Sequence, residues 1–303
     1  LNRENRQMLN SKENWVVSGI IPCFNGESFI GEAIRRLLNQ TRPLDELIVI
    51  DDGSKDNSLS IIRSFPEVRL IQHDTNLGLP TGRNNAWKAA RGDIIIYVDV
   101  DAYAAPDYVE NILKEYDDDK VGGVGGAGYE AHASPAPNRW RQLFLSQNYG
   151  DKPKDDVIFL FGIGASFRRS VLEEVGGFDP IFTTNGEDVD ICIRIRKLGY
   201  RLKYAPSATL LHHRNDSWRS LRAMIYRWWF WGHVAHMKNQ VPGYLMEHIK
   251  ITLRMMRYIT IYAIRHMKPR LMVLNLLFFY EALRAILMAR VRGLRALEKR
   301  RTV

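Results

Sequence analysis

Through the first third of the chain, apolar residues come in short runs separated by polar turns. WVVSGIIP (15–22), ELIVI (46–50), VRLIQ (68–72) and DIIIYV (93–98) are five to eight residues long and rich in Val and Ile. That is the pattern of strands buried on both faces. Between them the period changes. Ile30, Ala33, Ile34, Leu37 and Leu38 repeat at helical spacing, and helices are expected over about 58–64, over 80–90 and after Pro106. Strand–helix alternation of this kind predicts a mostly parallel sheet with helices on both faces. Such sheets bind ligands beyond the carboxyl ends of their strands. The residues following each run are Asn25, then Asp51 and Asp52, then Asp74 and Asn76, then Asp99 and Asp101. Carboxylates follow three of the four runs, and a bound cation or a donor-rich ligand would relieve their mutual repulsion.

Beyond Val121 the alternation fades. GGVGGAG (122–128) is too rich in glycine for an ordinary strand interior and suggests close backbone approach or flexibility. It matches neither GxGxxG opening a helix nor GxxxxGK[ST], which excludes a dinucleotide fold or a P-loop. Residues 130–157 read as a long loop with one short helix around 139–146, and KYAPSATLL reads as a strand before HHRNDSW (212–218).

Six stretches now stand in order: IIPCFNGE (20–27), VIDDGS (49–54), NLGLPTGRNNA (76–86), VDVDA (98–102), GASFRRSVLEEVGGFDP (164–180) and GEDVDICIRIRKLGY (186–200). Together they resemble the inverting family 2 glycosyltransferases of the GT-A fold, closest to a bacterial, rhamnosyltransferase-like branch acting on cell-envelope glycans. The likeness covers roughly 14–215, with a weaker echo at 224–242. It implies a GT-A domain: a Rossmann-like nucleotide-binding sheet with helices on both faces.

By that resemblance VDVDA is the DxD motif, with Asp101 and Asp99 holding Mg²⁺ or Mn²⁺ together with the diphosphate of a nucleoside-diphosphate sugar. Asp52 matches the position that reads the nucleobase, beside Asn25, and Pro22 and Phe24 match the lining of its pocket. Asp51 holds the turn, and one of the two aspartates is also a candidate helix cap. Arg83 matches a basic residue near the donor phosphates or ribose, against the alternative of a surface arginine on a helix. Asp188 of the ED pair is the expected general base, with Glu187 orienting the acceptor or the site. Asp190 and Arg194, four apart, read as a local ion pair. His212, favoured over His213, matches a third metal ligand, against the alternative of a solvated histidine. Pro80, Thr81 and Cys23 depart from the usual pattern without removing a catalytic group.

Charge divides the chain. Residues 1–215 hold 26 Lys+Arg against 30 Asp+Glu, whereas 216–303 hold 17 against 4. The net +9 therefore belongs to the tail, and a protein uniformly coating nucleic acid is disfavoured. The tail also carries four of the seven tryptophans and eight of the nine methionines. Lys250, Arg254, Arg257 and Arg265 alternate with apolar residues as on an amphipathic helix. LMVLNLLFFY (271–280) is short for a transmembrane span and is followed by Glu281 and Arg284, so the tail is expected to lie on a membrane rather than cross it. The alternative is packing against the catalytic body or a second subunit.

The organisation expected is a polar segment 1–14 without a secretory signal, a GT-A catalytic domain 15–215 and a basic helical extension 216–303. Cys23 and Cys192 lie far apart without zinc spacing, which fits a reducing cytoplasmic compartment and attachment to the inner membrane face. The partners expected are the sugar donor, a glycan or lipid-linked acceptor, an anionic membrane surface and a second copy of the chain, with no nucleic acid. Two rival readings stand: a nucleotidyltransferase that makes sugar nucleotides, which would want an early glycine-rich loop with Arg and Lys, and a non-enzymatic basic membrane- or nucleic-acid-binding protein.

Overall fold

The computed structural model describes residues 15–293. The polar segment 1–14 and residues 294–303 of the tail lie outside them. The chain divides into two compact units. One comprises residues up to Ala131, Ser146–Thr183 and Ile191–Arg214; the other comprises His132–Leu145, Thr184–Asp190 and the chain from Asn215.

The first unit is built on one eight-stranded sheet. Its strands are β1 (Val17–Cys23), β2 (Glu46–Asp51), β3 (Val68–Gln72), β4 (Ile94–Val98), β5 (Ala102–Ala104), β6 (Val121–Glu130), β7 (Gly164–Arg168) and β8 (Arg201–His212). They lie in the order β3-β2-β1-β4-β7-β6-β8-β5. The apolar runs form the parallel part, β1 pairing with β2 and β4, and β2 with β3. Strand β7 runs antiparallel to β4 and β6.

The runs look continuously apolar because both sheet faces are covered. Leu47 and Val49 join one buried cluster with the helix Ile30–Leu38, while Ile48 and Ile50 join another with Trp87 from the helix Leu79–Ala89. In β4, Ile94, Ile96 and Val98 face the first cluster and Ile95 and Tyr97 the second. This is the two-residue alternation of a pleated strand.

The glycine-rich stretch is a strand interior after all. Residues 121–130 form β6, between β7 and β8. A Cβ on Gly126 would lie 2.3 Å from the Ala208 carbonyl oxygen, and one on Gly164 of β7 2.1 Å from Leu210 Cδ1. Glycine is there for close approach of neighbours, and the pairing with β8 shifts register between Gly126 and Ala127.

The second unit is helical. It holds Ala136–Phe144, where the short helix was expected, and the long helices Trp218–Lys238, Tyr244–Arg265 and Arg270–Met288, the last continuing as a π-helical turn over Ala289–Gly293. Ser217 opens the first long helix with a reciprocal capping box to Ser220. Trp140, Phe144, Met224, Trp229, Ile259 and Phe278 share its core.

One expectation about the tail needs correction. The apolar stretch does not end at Glu281, because that carboxylate is buried and accepts from Arg222 Nη2 at 2.5 Å and Arg284 Nη1 at 3.1 Å. Arg270–Gly293, whose most apolar 18-residue window has a mean hydropathy of 1.8, is thus long and apolar enough to cross a membrane by length and composition. A third of its most apolar window is buried within the protein.

Candidate functional site

In the first unit the polar residues after β1, β2, β4 and β8 form connected groups. At the end of β1, Pro22 is half-buried and Phe24 exposed. Asn25 adopts a left-handed backbone (φ 51°) and ties this turn to the next, its Oδ1 accepting from Lys55 N (2.8 Å) and its N donating to Ser54 Oγ (2.9 Å).

Asp52 is buried and heavily engaged. Its carboxylate accepts from the backbone N–H groups of Leu77 and Gly78, each at 2.9 Å, and meets His73 Nδ1 at 2.7 Å. It therefore pins the 76–78 turn to β2. Gly53 (φ 76°) makes that closure feasible, since a Cβ there would lie 2.7 Å from the Thr75 carbonyl carbon. Asp51 accepts from Ser54 N at 3.3 Å through Oδ2, as a turn holder would. Its buried Oδ1 has no hydrogen-bond partner among the described residues.

Arg83 is not a surface arginine. It is 2% exposed, and its Nη2 donates to Asp99 Oδ1 and to Gly162 O, both at 2.9 Å. The guanidinium lies 5.6 Å from the Tyr97 ring centroid and 5.4 Å from that of Phe178. Burial raises the Asp99 carboxyl above the ordinary range, and Asp101 adds to this while the Arg83 cation pulls the other way.

Strand pairing assembles the rest. In register, His212 of β8 lies opposite Ala102 of β5 and Glu130 of β6. His212 Nε2 then lies 3.4 Å from Asp101 Oδ2, and Nδ1 lies 3.5 Å from Glu130 Oε1. Burial opposes charging the imidazole, but the two carboxylates outweigh it and lift His212 to about 9. Burial likewise opposes charging Asp101, but hydrogen bonding to His212 and its charge leave that carboxyl below the ordinary range. His213 instead lays its ring on Tyr103, 4.0 Å between centroids, and its N donates to Asp101 O at 2.8 Å.

Among the described residues, no three His, Cys, Asp or Glu side chains are gathered as a ready-made metal cage. Asp99, Asp101 and His212 nevertheless offer two carboxylates and an imidazole, His212 Nε2 lying 3.4 Å from Asp101 Oδ2. That donor set suits a hard divalent cation.

The ED pair belongs to the second unit, as the first turn of the helix Glu187–Lys197. Glu187 is buried and Asp188 half-buried, with Asp188 Oδ1 accepting from Val189 N at 2.8 Å. Asp190 is fully buried and accepts from Lys238 Nζ and Asn239 Nδ2, each at 2.7 Å. Arg194 donates to the carbonyls of Val175 and Gly177, also at 2.7 Å. Helix phase turns Asp190 toward the end of Trp218–Lys238.

Sequence reasoning missed Glu130, His73, Lys238 and Asn239. His73 directly follows the third apolar run and was open to the same logic as Asp74. Glu130 follows a glycine-rich strand that had not been recognised as one.

The family model of glycosyl transferase family 2 matches residues 18–176, more than half of the chain. An O-antigen chain rhamnosyltransferase of Salmonella typhimurium is 28% identical over 207 residues, 65% of this chain and 66% of that protein. A pre-mycofactocin glycosyltransferase of Mycobacterium tuberculosis is 29% identical over 224 residues, 71% of this chain and 46% of that one. The matched region thus spans between about half and two thirds of these relatives. Among solved structures, a Pyrobaculum calidifontis mannosyltransferase in complex with GDP-mannose and Mn²⁺ superposes with a TM-score of 0.58 at 22% identity, covering 95% of this chain and 80% of that one. The shared fold is GT-A, and the chain belongs to glycosyl transferase family 2.

Proposed function

We propose that this protein is an inverting glycosyltransferase, moving a sugar from a nucleoside-diphosphate sugar to a hydroxyl of a lipid-linked or cell-envelope glycan. The observation that carries the reading is the chain of contacts Arg83–Asp99, Asp101–His212 and His212–Glu130 at the ends of β4, β6 and β8. Partly buried carboxylates gathered beside an imidazole at strand ends, one with its carboxyl raised and one lowered, are the kind of cluster that ligand sites hold. The fold neighbour bound to GDP-mannose and Mn²⁺ supports a nucleotide-sugar donor with a divalent metal, and the O-antigen relative supports an envelope glycan acceptor.

Asp101, Asp99 and His212 would hold Mg²⁺ or Mn²⁺, which when bound offsets charge on the departing diphosphate. Arg83 holds Asp99 in place and partly offsets the burial that raises its carboxyl. Asp52 serves the nucleobase at the end of β2, with Asp51 holding the turn, Pro22 and Phe24 lining the base pocket and Asn25 ordering the turn. Asp188 takes the proton of the acceptor hydroxyl as its oxygen bonds to the anomeric carbon and the carbon–oxygen bond to the diphosphate breaks on the opposite face. Glu187 orients the acceptor.

The surface of the second unit's helices supports peripheral attachment to the cytoplasmic face of an anionic membrane. Ile264, Met267, Val273, Leu276, Tyr280 and Leu287 are exposed there, among exposed Lys250, Arg254, Arg257, Arg265, Lys268 and Arg270. Pairing that face with a second copy would set like charges against one another. Anionic lipid removes that conflict, at about 1 kcal/mol for each Lys or Arg near the surface.

A thermal-shift panel of UDP, dTDP, GDP, CDP and ADP, each with and without Mn²⁺, tests the donor site. One diphosphate at a hundredfold its Kd is expected to add about 2.7 kcal/mol of stability. The gain should need Mn²⁺ and vanish in Asp101→Ala. A flat panel would refute the reading.

A further inference from the structure

The helix Trp218–Lys238 begins the basic tail, yet its contacts suit a different task. The turn that carries the ED pair, residues 184–190, clusters with the helices and not with the sheet. Three contacts to this helix account for that. Arg227 Nε donates to Asn185 Oδ1 at 3.3 Å. Gly186 (φ 87°) sits so close that a Cβ would lie 2.9 Å from Trp231 Cβ and 3.0 Å from its carbonyl carbon. Asp190, fully buried, accepts from Lys238 Nζ and from the following Asn239, and Asn239 Nδ2 also reaches Ala235 O at 2.9 Å. Positions 227, 231 and 238 recur at spacings of four and seven, so they lie along one helix face. At 1.5 Å per residue that face runs along the turn for about 16 Å.

We infer that the helix Trp218–Lys238 is the platform of the general base, with Lys238 and Asp190 as its positioning pair. The inference rests on the proposed role of Asp188. Asp190 lies two residues beyond Asp188 in the same first helical turn. A fully buried carboxylate is held where its donors are, so the Lys238 ammonium and the Asn239 amide set the azimuth at which the helix starts. Gly186 sets how closely the turn approaches. Asp188 is thus aimed by residues some fifty positions later in the chain, none of which touches substrate.

Displacing a reacting group by about 1 Å costs on the order of a hundredfold in rate. Lys238→Met is therefore expected to lower kcat by about 10- to 100-fold, with Lys238→Arg recovering a large part. The KM for the sugar donor and the affinity for its diphosphate with Mn²⁺ should stay within twofold, because the donor residues belong to the sheet unit. Asp190→Asn should lower kcat similarly. Combining it with Lys238→Met should add little, since either substitution already breaks the pair.

Asp188→Asn is assayed alongside. If it retains turnover, the base assignment falls. If it is inactive while Lys238→Met keeps kcat within twofold, the positioning role falls and the base assignment stands. A Lys238→Met protein that loses diphosphate binding and kcat in parallel would also overturn the inference, because the residue would then support the fold generally.

Discussion

Replacing Arg83 by methionine tests how the acidic strand ends are kept ionised. The substitution preserves most of the side-chain volume and removes a cation that is 2% exposed. Breaking a buried pair from one side costs about 3–5 kcal/mol, because the other charge stays behind. The Asp99 side chain is 31% exposed, so water relieves part of this and about 2–3 kcal/mol is the better figure. Loss of the cation–π contacts with Tyr97 and Phe178 adds about 1 kcal/mol.

For a unit of this size, a total of about 3–4 kcal/mol lowers the melting temperature by roughly 6–16 °C. The pH dependence has a definite sign. The folded-state pKa of Asp99 is already raised, by burial first, with Asp101 adding and Arg83 restraining it. The folded form therefore holds a proton that the unfolded chain releases, and stability falls as pH rises from the unfolded value toward the folded one. Without Arg83 that window extends upward, so the variant should lose more at pH 8 than at pH 5. Thermal unfolding of the wild type, Arg83→Met and Arg83→Met/Asp99→Asn at both pH values decides the matter. The double variant should recover most of the loss. A single variant within 1 kcal/mol of wild type, or a double variant no better than the single, would refute the reasoning.

Two further outcomes are expected. Glu130→Gln should weaken Mn²⁺ binding by about 10-fold, read by electron paramagnetic resonance titration, because the carboxylate beside Nδ1 orients His212; unchanged affinity would remove Glu130 from that role. Val273→Glu with Leu276→Glu should cut co-sedimentation with anionic vesicles by at least tenfold while leaving the melting temperature unchanged, since both side chains are exposed; undiminished binding would refute the membrane face.

The parallel part of the sheet was legible because residues such as Ile48 and Val49 are buried on opposite faces, which writes a continuous apolar run into the chain. Strand β6 was not, because its glycines carry no hydrophobic signal and their reason lies in Ala208 and neighbouring strands far away in sequence. Asp99, Asp101 and His212 stood out as polar residues at element ends. What each one touches did not. Arg83 reads from sequence as a helical arginine, and only the Leu79–Ala89 helix packed on the sheet shows it turned inward to Asp99. Asp190 and Arg194 have the right spacing for an ion pair, but that spacing could not show that Asp190 also accepts from a lysine 48 residues away. Local spacing states what can meet, and tertiary packing selects among the options.

Strands β6 and β7 also limit how this protein can change over time. At Gly126 and Gly164, the first carbon of any side chain would overlap a neighbour's carbonyl or a buried leucine. Since every other amino acid begins with that carbon, neither position has a neutral neighbour in sequence space. Helix surfaces can drift freely while these two codons stay fixed. A substitution at Gly126 becomes tolerable only after the β8 backbone at Ala208 has shifted, and one at Gly164 only after the Leu210 side chain has given way, so such changes would be inherited in pairs and in one order.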